Sequence, residues 1–461
     1  MTTTTLRTSA VNQLRASLRG EVVQPRDPAY DAARAGYNAM HERWPALVVR
    51  AEDADDVAVA IEFARAHGLL LAVRGGNHSV PGFGSCDDGL ALDLSRMHHV
   101  HIDPEARVAR AQGGCTWGQL NDAAHAFGLG TTSGLISTTG IAGLTLGGGI
   151  GYIARAWGLA CDNLVGAEVV TANGERLHCS VRGNADLFWG LRGGGGNFGV
   201  VTSLEYRLHP AGDILAGPLF FPLSADIVRG YRDFMQRAPE RLGAVLGLTL
   251  APPLPFLAEE LHGKPVAVVI VCWIGPPEEG EAVIQPLEQC APVLGRGIRV
   301  MPYPAINTLF DALLPRGLRH YWKSQFVREV PDAAIDLHVE HAARVPSLES
   351  GTFFYPIDGA CHRVASDATA FPQRAARFAI GIHGSWRAAA DDTRSSAWVR
   401  ACYDATRPYA LEGEYVNFIS DDGNAGVPAN YGQNYARLLA LKRRLDAHNL
   451  FCLNQNIDPQ T

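Results

Sequence analysis

A histidine stands inside a glycine turn near the start of the chain, where it could act as a nucleophile. The apolar run 69–73 reads as a buried strand, and Gly75 and Gly76 follow it just before His78. Glycine can take φ > 0 and leaves no side chain between the backbone and a bound group, so neighbouring N–H groups can converge on phosphate oxygens. The sequence therefore predicts an anion-binding turn with a nucleophile inside it. Further donors of this turn are Arg74 and Ser79.

The stretch 133–151 holds more glycine than a regular helix or strand tolerates. One interpretation is a backbone that passes closely along a large planar cofactor. The alternative is a close-packed loop. Because the His78 turn lies upstream, we favour the cofactor interpretation.

A third glycine cluster, residues 193–196, leads into an alternating apolar segment that starts with Val200 and Val201. A phosphate-binding P-loop would need Gly-Lys-Ser/Thr, and no lysine is present here. A Rossmann fingerprint would need a helix directly after the glycines, whereas a strand is expected here. Both of these nucleotide-binding motifs are therefore disfavoured.

A fourth motif lies near the C-terminal end, where Tyr415-Val416-Asn417 precedes an amide-rich segment at 454–456. The four motifs, in this order, resemble the berberine-bridge-enzyme-like FAD-linked oxidases of the vanillyl-alcohol-oxidase superfamily, and especially its bacterial members with one covalent flavin link. The resemblance covers roughly residues 45–210 and 415–459, and only loosely the middle third.

The resemblance implies that the cofactor is FAD, bonded through its 8α-methyl group to His78. The family turn usually reads Arg-x-Gly-Gly-His, and Asn77 stands here in place of the glycine before the histidine. Asparagine tolerates the left-handed conformation better than most residues, so the turn can be kept. Some relatives add a second bond from a cysteine. That position is Ile136 here, which implies a single link through His78.

The residues that the resemblance places at the cofactor are His78, Arg74, Gly75, Gly76, Asn77, Ser79, Gly82, Ser133, Gly134, Thr138, Thr139, Gly140, Gly143, Gly148, Gly149, Val200, Val201, Asn417, Asn454 and Asn456.

The residue type at Thr139 bears on whether O2 can reach and reoxidise the flavin. Three residues after the cysteine position, relatives carry a residue that controls the access of O2 to the flavin: a bulky leucine blocks O2 and valine admits it. Thr139 is nearly the size of valine. The resemblance therefore implies an oxidase rather than a dehydrogenase.

Substrate oxidation also needs a base for the O–H or N–H proton. Tyr415 is the first candidate, because it matches the family's Tyr-x-Asn. In sugar-oxidising relatives the catalytic tyrosine lies three positions later, where this chain has Phe418, which cannot take a proton; this argues against a sugar substrate. The second-rank candidates are Tyr321, Tyr355 and His383.

The expected fold class is α+β, with a two-lobe PCMH-type FAD-binding domain and an antiparallel-sheet substrate domain covered by helices. Residues 1–210 are expected to form the N-terminal part of the FAD-binding domain, 211–414 the substrate-binding domain and 415–461 the C-terminal return. After Pro210 proline clusters and long strand-like runs appear. Amphipathic patterns predict helices at about 331–344, 391–408 and 430–447.

Composition and net charge limit the classes of binding partner and the cellular compartment that we expect. A net charge of −7 without a long basic run disfavours nucleic acid and anionic membrane. The sequence has neither a long apolar run for a membrane span nor a secretory signal. Nine cysteines without a C-x-x-C pair indicate reduced thiols and a cytoplasmic protein. No metal site is expected, and a homodimer is one of the assembly states that the sequence leaves open.

We therefore expect a FAD-dependent oxidase. It would take a hydride from an alcohol or amine carbon of a small to medium, aromatic secondary metabolite and be reoxidised by O2 to give H2O2. Two alternatives stay open. One is a flavin-dependent oxygenase of a natural-product pathway that works through a flavin–oxygen adduct. The other is a flavin-loaded binding protein without turnover.

Overall fold

The structure, a computed structural model, describes residues 6–420 and 423–461. In these two ranges no helix is both long enough and apolar enough to cross a bilayer. The strands are β1 (Glu21–Val23), β2 (Leu47–Arg50), β3 (Leu71–Arg74), β4 (Leu90–Asp93), β5 (Val100–Asp103), β6 (Val108–Gln112), β7 (Leu129–Gly130), β8 (Leu164–Val170), β9 (Arg176–Ser180), β10 (Val200–Arg207), β11 (His209–Pro210), β12 (Asp213–Pro222), β13 (Leu242–Leu250), β14 (Pro265–Trp273), β15 (Gly295–Arg296), β16 (Arg299–Pro302), β17 (Arg319–Val327), β18 (Gly351–Pro356) and β19 (Phe378–Trp386). The α-helices are α1 (Thr8–Ser17), α2 (Tyr30–Arg34), α3 (Ala54–Ala66), α4 (Trp117–His125), α5 (Ile141–Leu146), α6 (Ala154–Trp157), α7 (Ala185–Leu191), α8 (Ala225–Met235), α9 (Pro277–Glu288), α10 (Tyr303–Ile306), α11 (Asp332–Ala342), α12 (Asp392–Thr406), α13 (Val427–Tyr431) and α14 (Tyr435–Leu445).

The N-terminal half of the chain builds two main sheets. One has the order β1-β2-β4-β3, with β2 and β3 both parallel to β4. The other has the order β5-β6-β10-β8-β9 and is antiparallel throughout. The carboxyl end of β3 leads directly into the turn that carries His78.

Side-chain caps fix where two helices of this half begin. The Asp53 carboxylate accepts hydrogen bonds from the N–H groups of Asp55 and Asp56 at the start of α3. Thr116 and Gln119 form a reciprocal capping box at the start of α4. Both caps satisfy N–H groups that have no partner inside the helix.

The middle of the chain forms an antiparallel sheet with the order β15-β12-β14-β13-β18-β19-β17, and β16 also pairs with β12. Helices α8, α11 and α12 pack on one face, where Leu246, Phe354 and Ile380 lie in the core. Successive residues of a strand point to opposite faces. Alternate residues such as Val245 and Tyr355 therefore face away from these helices. This is the helix-covered antiparallel sheet that the sequence predicts.

The C-terminal segment differs from its prediction. The expected helix at 430–447 is interrupted, because Gly432 takes φ +50°, which an α-helix cannot continue. Near the end of α14 the fully buried Lys442 donates hydrogen bonds to Asp446 (2.7 Å), the Phe451 carbonyl (2.9 Å) and the Asn197 carbonyl (3.0 Å). A buried charge needs such partners, and these bonds tie the C-terminal segment to the third glycine cluster.

Candidate active site

A cavity of about 920 Å³ joins the glycine turns to the uncovered face of the eight-stranded sheet. Its first end is lined by the His78 turn and by Thr139 and Gly140. Its second end is lined by side chains of β13, β14, β17, β18 and β19. Motifs that lie far apart in the sequence thus share one space.

The two glycine turns touch each other at the backbone. A Cβ atom on Gly76 would overlap the backbone N and Cα of Gly140, and a Cβ atom on Gly140 would overlap Gly76 in the same way. A Cβ atom on Gly75 would lie 2.6 Å from the Gly113 carbonyl oxygen. Glycine is required here for close approach.

The glycine turn that contains Thr139 and Gly140 is hydrogen-bonded to the start of α4. Trp117 N–H donates to the Thr139 carbonyl (2.9 Å), and Ile141 N–H donates to the Cys115 carbonyl (3.0 Å). These bonds hold residues 137–141 against residues 115–118. Thr139 is therefore presented to the cavity by a rigid backbone.

His78 is held in one orientation. Its Nε2 lies 2.8 Å from Thr138 Oγ1, and its imidazole stacks on the Tyr37 ring with 4.0 Å between centroids. Burial lowers the pKa of His78 to about 3, and the charges of Arg316 and His320 add to the effect. The imidazole is therefore neutral, which is the form that can act as a nucleophile.

The residues flanking His78 shape the turn. Asn77 takes φ +56°, the left-handed conformation expected at this position, and its Nδ2 donates to the Ala35 carbonyl (2.8 Å). Ser79 Oγ accepts a hydrogen bond from Phe83 N–H (3.0 Å) and closes the following turn. Asparagine thus stands at the position of the family's glycine in the left-handed conformation.

Arg74 is a buried cation rather than a free donor. Its Nη2 lies 2.7 Å from Asp93 Oδ2 and also donates to the Ala33 carbonyl. Burial raises the pKa of Asp93, but the Arg74 charge and the hydrogen bonds from Arg74 and Ser95 together outweigh it, and the net pKa is below the usual range. The Nη1 of Arg74 has no partner among the described residues, so one donor is left over beside the cavity.

The predicted cofactor residues divide into two groups. Those that line the cavity are Arg74, Gly75, Gly76, Asn77, His78, Ser79, Thr139, Gly140, Gly143, Asn417 and Asn454. Those outside its lining are Gly82, Ser133, Gly134, Thr138, Gly148, Gly149, Val200, Val201 and Asn456.

Several residues of the second group pack behind the residues that line the cavity. A Cβ atom on Gly148 would lie 2.8 Å from the Phe371 ring, and Ser133 Oγ bonds to the Tyr303 hydroxyl (2.9 Å). Val200 and Val201 lie inside β10. For this part of the stretch 133–151 the close-packed-loop interpretation describes the structure, because the glycines there make room for neighbouring side chains.

Two base candidates lie away from the cavity lining. Tyr415 is fully buried, and its hydroxyl accepts hydrogen bonds from Gly149 N–H (2.9 Å), Ile150 N–H (3.2 Å) and Asn417 Nδ2 (3.0 Å). Burial raises the pKa of Tyr415 to about 12. Tyr321 lies in the core beneath the helices, on the opposite face from its neighbour Trp322, because strand residues alternate. Both are therefore set aside as proton acceptors.

The second end of the cavity is an aromatic chamber, which we define as Trp322, Phe353, Tyr355, His383 and Phe418. His383 stacks on Trp322 with 4.1 Å between ring centroids, and Phe418 stands edge-on to His383 at 5.1 Å. Tyr355 lies 5.1 Å from Phe418. Every member of this chamber lines the cavity.

Both titratable members of the chamber are uncharged. Burial lowers the pKa of His383 to about 3, with a further contribution from His320, and burial raises the pKa of Tyr355 far above its usual value. The Tyr355 hydroxyl has no hydrogen bond to any described residue. Charges at the cavity wall occur elsewhere, for example in the Glu349–Arg387 ion pair (2.9 Å).

Sequence reasoning missed several residues of the cavity and its support. Gly147 lies against the Asn417 amide, and Gly195 and Gly196 line the cavity. The glycine clusters were a usable signal for these three. Tyr37 gave no such signal, because no motif surrounds it.

Comparison with known proteins identifies the family. Residues 45–180 match the family described as FAD binding domain, and residues 414–458 match the family described as berberine and berberine like. The chain is 30% identical over 463 residues to (R)-6-hydroxynicotine oxidase of Paenarthrobacter nicotinovorans, across 96% of this chain and 98% of the relative.

Solved structures agree in fold. The crystal structure of 6-hydroxy-D-nicotine oxidase from Arthrobacter nicotinovorans matches with a TM-score of 0.86 and 28% identity, across 99% of this chain and 100% of that one. Glucooligosaccharide oxidase from Acremonium strictum, which carries a 6-S-cysteinyl, 8α-N1-histidyl FAD, matches with a TM-score of 0.85 and 22% identity, across 98% and 99%. The second likeness concerns the fold alone.

The chain therefore belongs to the berberine-like family of FAD-linked oxidoreductases. It is an oxidoreductase with the α+β PCMH-type fold, as the sequence predicts. The cavity fits FAD in two respects. A Cβ atom on Gly143 or Gly196 of its lining would project into open space, and the buried Oδ1 atom of Asn454 in its lining has no partner among the described residues.

The backbone contact between Gly76 and Gly140 can be tested by substitution. Gly76→Ala should force the two turns apart, lower the free energy of unfolding by about 1–3 kcal/mol, as overpacking typically does, and reduce flavin content. Thermal unfolding and flavin absorbance per protein measure both effects. Gly36→Ala is the matched control, because a Cβ atom there meets nothing within 4 Å. Equal melting temperatures for the two variants would contradict the assigned contact.

Proposed function

We propose that the protein is an FAD-dependent oxidase that removes a hydride from an alcohol or amine carbon of an aromatic metabolite. O2 then takes the electrons and H2O2 is released. The observation that carries the proposal is the single cavity that connects the His78 turn to the aromatic chamber. The substrate is a planar, uncharged molecule, because the chamber offers ring faces and neutral polar groups.

Residues 1–210 and 415–461 are proposed to hold the cofactor, and residues 211–414 the substrate. When bound, FAD supplies the hydride acceptor. His78 would bond to its 8α-methyl carbon, and with Ile136 at the family's cysteine position this is a single link. Glucooligosaccharide oxidase, which shares this fold, carries a histidyl-linked FAD.

The chamber residues bind the substrate and handle its proton. Trp322 and Phe418 provide faces against which a ring can lie, and Tyr355 provides a protonated hydroxyl that can orient a substrate oxygen. His383 is neutral and has a lone pair, so it is the group proposed to accept the proton. Tyr355, a base candidate from the sequence, remains the second choice, since its high pKa keeps it protonated.

Thr139 is proposed to admit O2. It lines the cavity on the rigid segment between Ile136 and Gly140, and its side chain is short. A flavin-dependent oxygenase would use the same access. Transfer of 18O from 18O2 into the product would identify that second function, whereas an oxidase places both oxygen atoms in H2O2.

The cofactor link can be tested by acid precipitation. The wild-type pellet is expected to stay yellow, because a covalent bond survives unfolding, whereas His78→Ala should release its flavin to the supernatant. His101→Ala, an exposed histidine on β5, is the control and should behave as wild type. A colourless wild-type protein would contradict the flavoenzyme assignment. Yellow that leaves the pellet would contradict the covalent link alone.

The proton acceptor can be tested by flavin bleaching without air, with a substrate selected from a panel of aromatic alcohols and amines. His383→Ala should slow flavin reduction by about 10²–10⁴-fold, the usual contribution of a general base. Tyr355→Phe should act mainly on substrate affinity. Tyr321→Phe is the control on the opposite face of the same sheet and should leave the rate unchanged. Wild-type reduction by the His383 variant would refute its role.

Access of O2 can be tested by the reoxidation rate of the reduced enzyme. Thr139→Leu should slow reoxidation by at least an order of magnitude, because the larger side chain fills the approach to the flavin, while Thr139→Val should leave it fast. Stopped-flow mixing with aerated buffer measures the rate. Rapid reoxidation of the leucine variant would show that O2 arrives by another route.

A further inference from the structure

Tyr37 lies between two histidines in a stack of three rings. One face of its ring packs against the His78 imidazole, with centroids 4.0 Å apart and planes 23° apart. The other face packs against the His320 imidazole, with centroids 4.6 Å apart and planes 6° apart. Tyr37 is 1% exposed. The Tyr37 ring therefore packs against His78 from the interior of the protein.

The backbone around Tyr37 is pinned to both sides. Asn38 Nδ2 donates to the Val80 carbonyl (2.6 Å) and to the His320 carbonyl (2.9 Å), while Asn38 Oδ1 accepts from His320 N–H (2.9 Å). Gly317 N–H donates to the Tyr37 carbonyl (3.1 Å). The ring of Tyr37 is thus fixed relative to the His78 turn and to strand β17 at once.

Two contacts together determine where the His78 ring points. The Tyr37 stack fixes the plane of the imidazole. The bond between Nε2 and Thr138 Oγ1 (2.8 Å) fixes its rotation within that plane. The Nδ1 atom is left without a hydrogen bond to any described residue, and His78 lines the cavity. The free ring nitrogen therefore has a single direction.

The same contacts set which nitrogen can react. If Nε2 carries the ring proton and donates it to Thr138, Nδ1 holds the lone pair. The Arg316 guanidinium donates to the Gly76 carbonyl (2.6 Å), and its positive charge near the ring works against protonation of His78. A neutral imidazole with an oriented lone pair is what nucleophilic attachment requires.

We propose that Tyr37 and Thr138 are positioning residues for covalent attachment of the flavin, presenting His78 Nδ1 to the 8α-methyl carbon. This inference rests on the proposed function. Formation of the Nδ1–carbon bond would remove one hydrogen from the methyl group and one from Nε2 of the imidazole. The two protons and two electrons released would be taken up by O2, with the flavin as the electron carrier, and H2O2 would leave.

The ring of Tyr37, and not its hydroxyl, carries this role. The hydroxyl oxygen is buried and has no hydrogen-bond partner among the described residues. Tyr37→Phe keeps both stacking faces and removes only this unpaired group. Tyr37→Leu removes the stack. Thr138→Val removes the bond to Nε2 at nearly constant volume, and Thr138→Ser restores it.

The experiment measures the fraction of flavin that stays with the acid-precipitated polypeptide at fixed times after expression, and total flavin in the native protein. Tyr37→Leu and Thr138→Val should bind flavin but attach it about 10–100-fold more slowly, the usual cost of a misplaced reacting atom. Tyr37→Phe and Thr138→Ser should attach it at the wild-type rate. Rescue by these conservative variants separates positioning from a merely structural role.

The outcomes are distinct. Complete attachment at the wild-type rate in both Tyr37→Leu and Thr138→Val would overturn the inference while the proposed function stands. Release of all flavin from the wild type would overturn both. If Tyr37→Leu fails to fold, Thr138→Val decides alone, because Thr138 is exposed and its replacement leaves the core intact.

Discussion

The backbone contact between Gly76 and Gly140 is the constraint on which the rest of the cavity depends. Neither residue can carry a side chain, so two turns from different parts of the chain meet at van der Waals distance. That contact brings His78 within hydrogen-bonding distance of Thr138 and sets Thr139 on the adjoining wall. Because the second turn is also bonded along the start of α4, the first end of the cavity is rigid.

The second end depends on the alternation of strand residues. On β17, Trp322 faces the cavity while Tyr321 packs beneath the helices; on β18, Phe353 and Tyr355 face the cavity while Phe354 packs beneath the helices. A register shift of one residue would exchange these sets. The helices that cover the far face therefore fix the chemistry of the near face, because burial of the apolar set leaves the aromatic set at the cavity.

Local patterns in the sequence predicted local features well. The His78 turn, the left-handed Asn77 and the antiparallel middle sheet all follow from glycine spacing, side-chain conformation and alternation. Pairings between distant segments did not follow. Tyr37 has no motif around it, so its stack with His78 and His320 appears only in three dimensions. The sequence motif around Tyr415 likewise does not reveal that backbone N–H groups donate hydrogen bonds to its hydroxyl oxygen.

Neutrality of the cavity has a consequence for the proposed reaction. Burial keeps His78 and His383 uncharged and Tyr355 protonated. An apolar chamber strongly disfavours an unpaired charge, so a substrate alkoxide formed before hydride loss, or a protonated carbonyl formed after it, would be costly there. Loss of the proton to His383 as the hydride departs would avoid both substrate ions, and the charge of the imidazolium that forms would be balanced by the negative charge that the hydride carries to its acceptor. The geometry therefore favours a coupled departure of proton and hydride, with the acceptor inside the chamber and not in solvent.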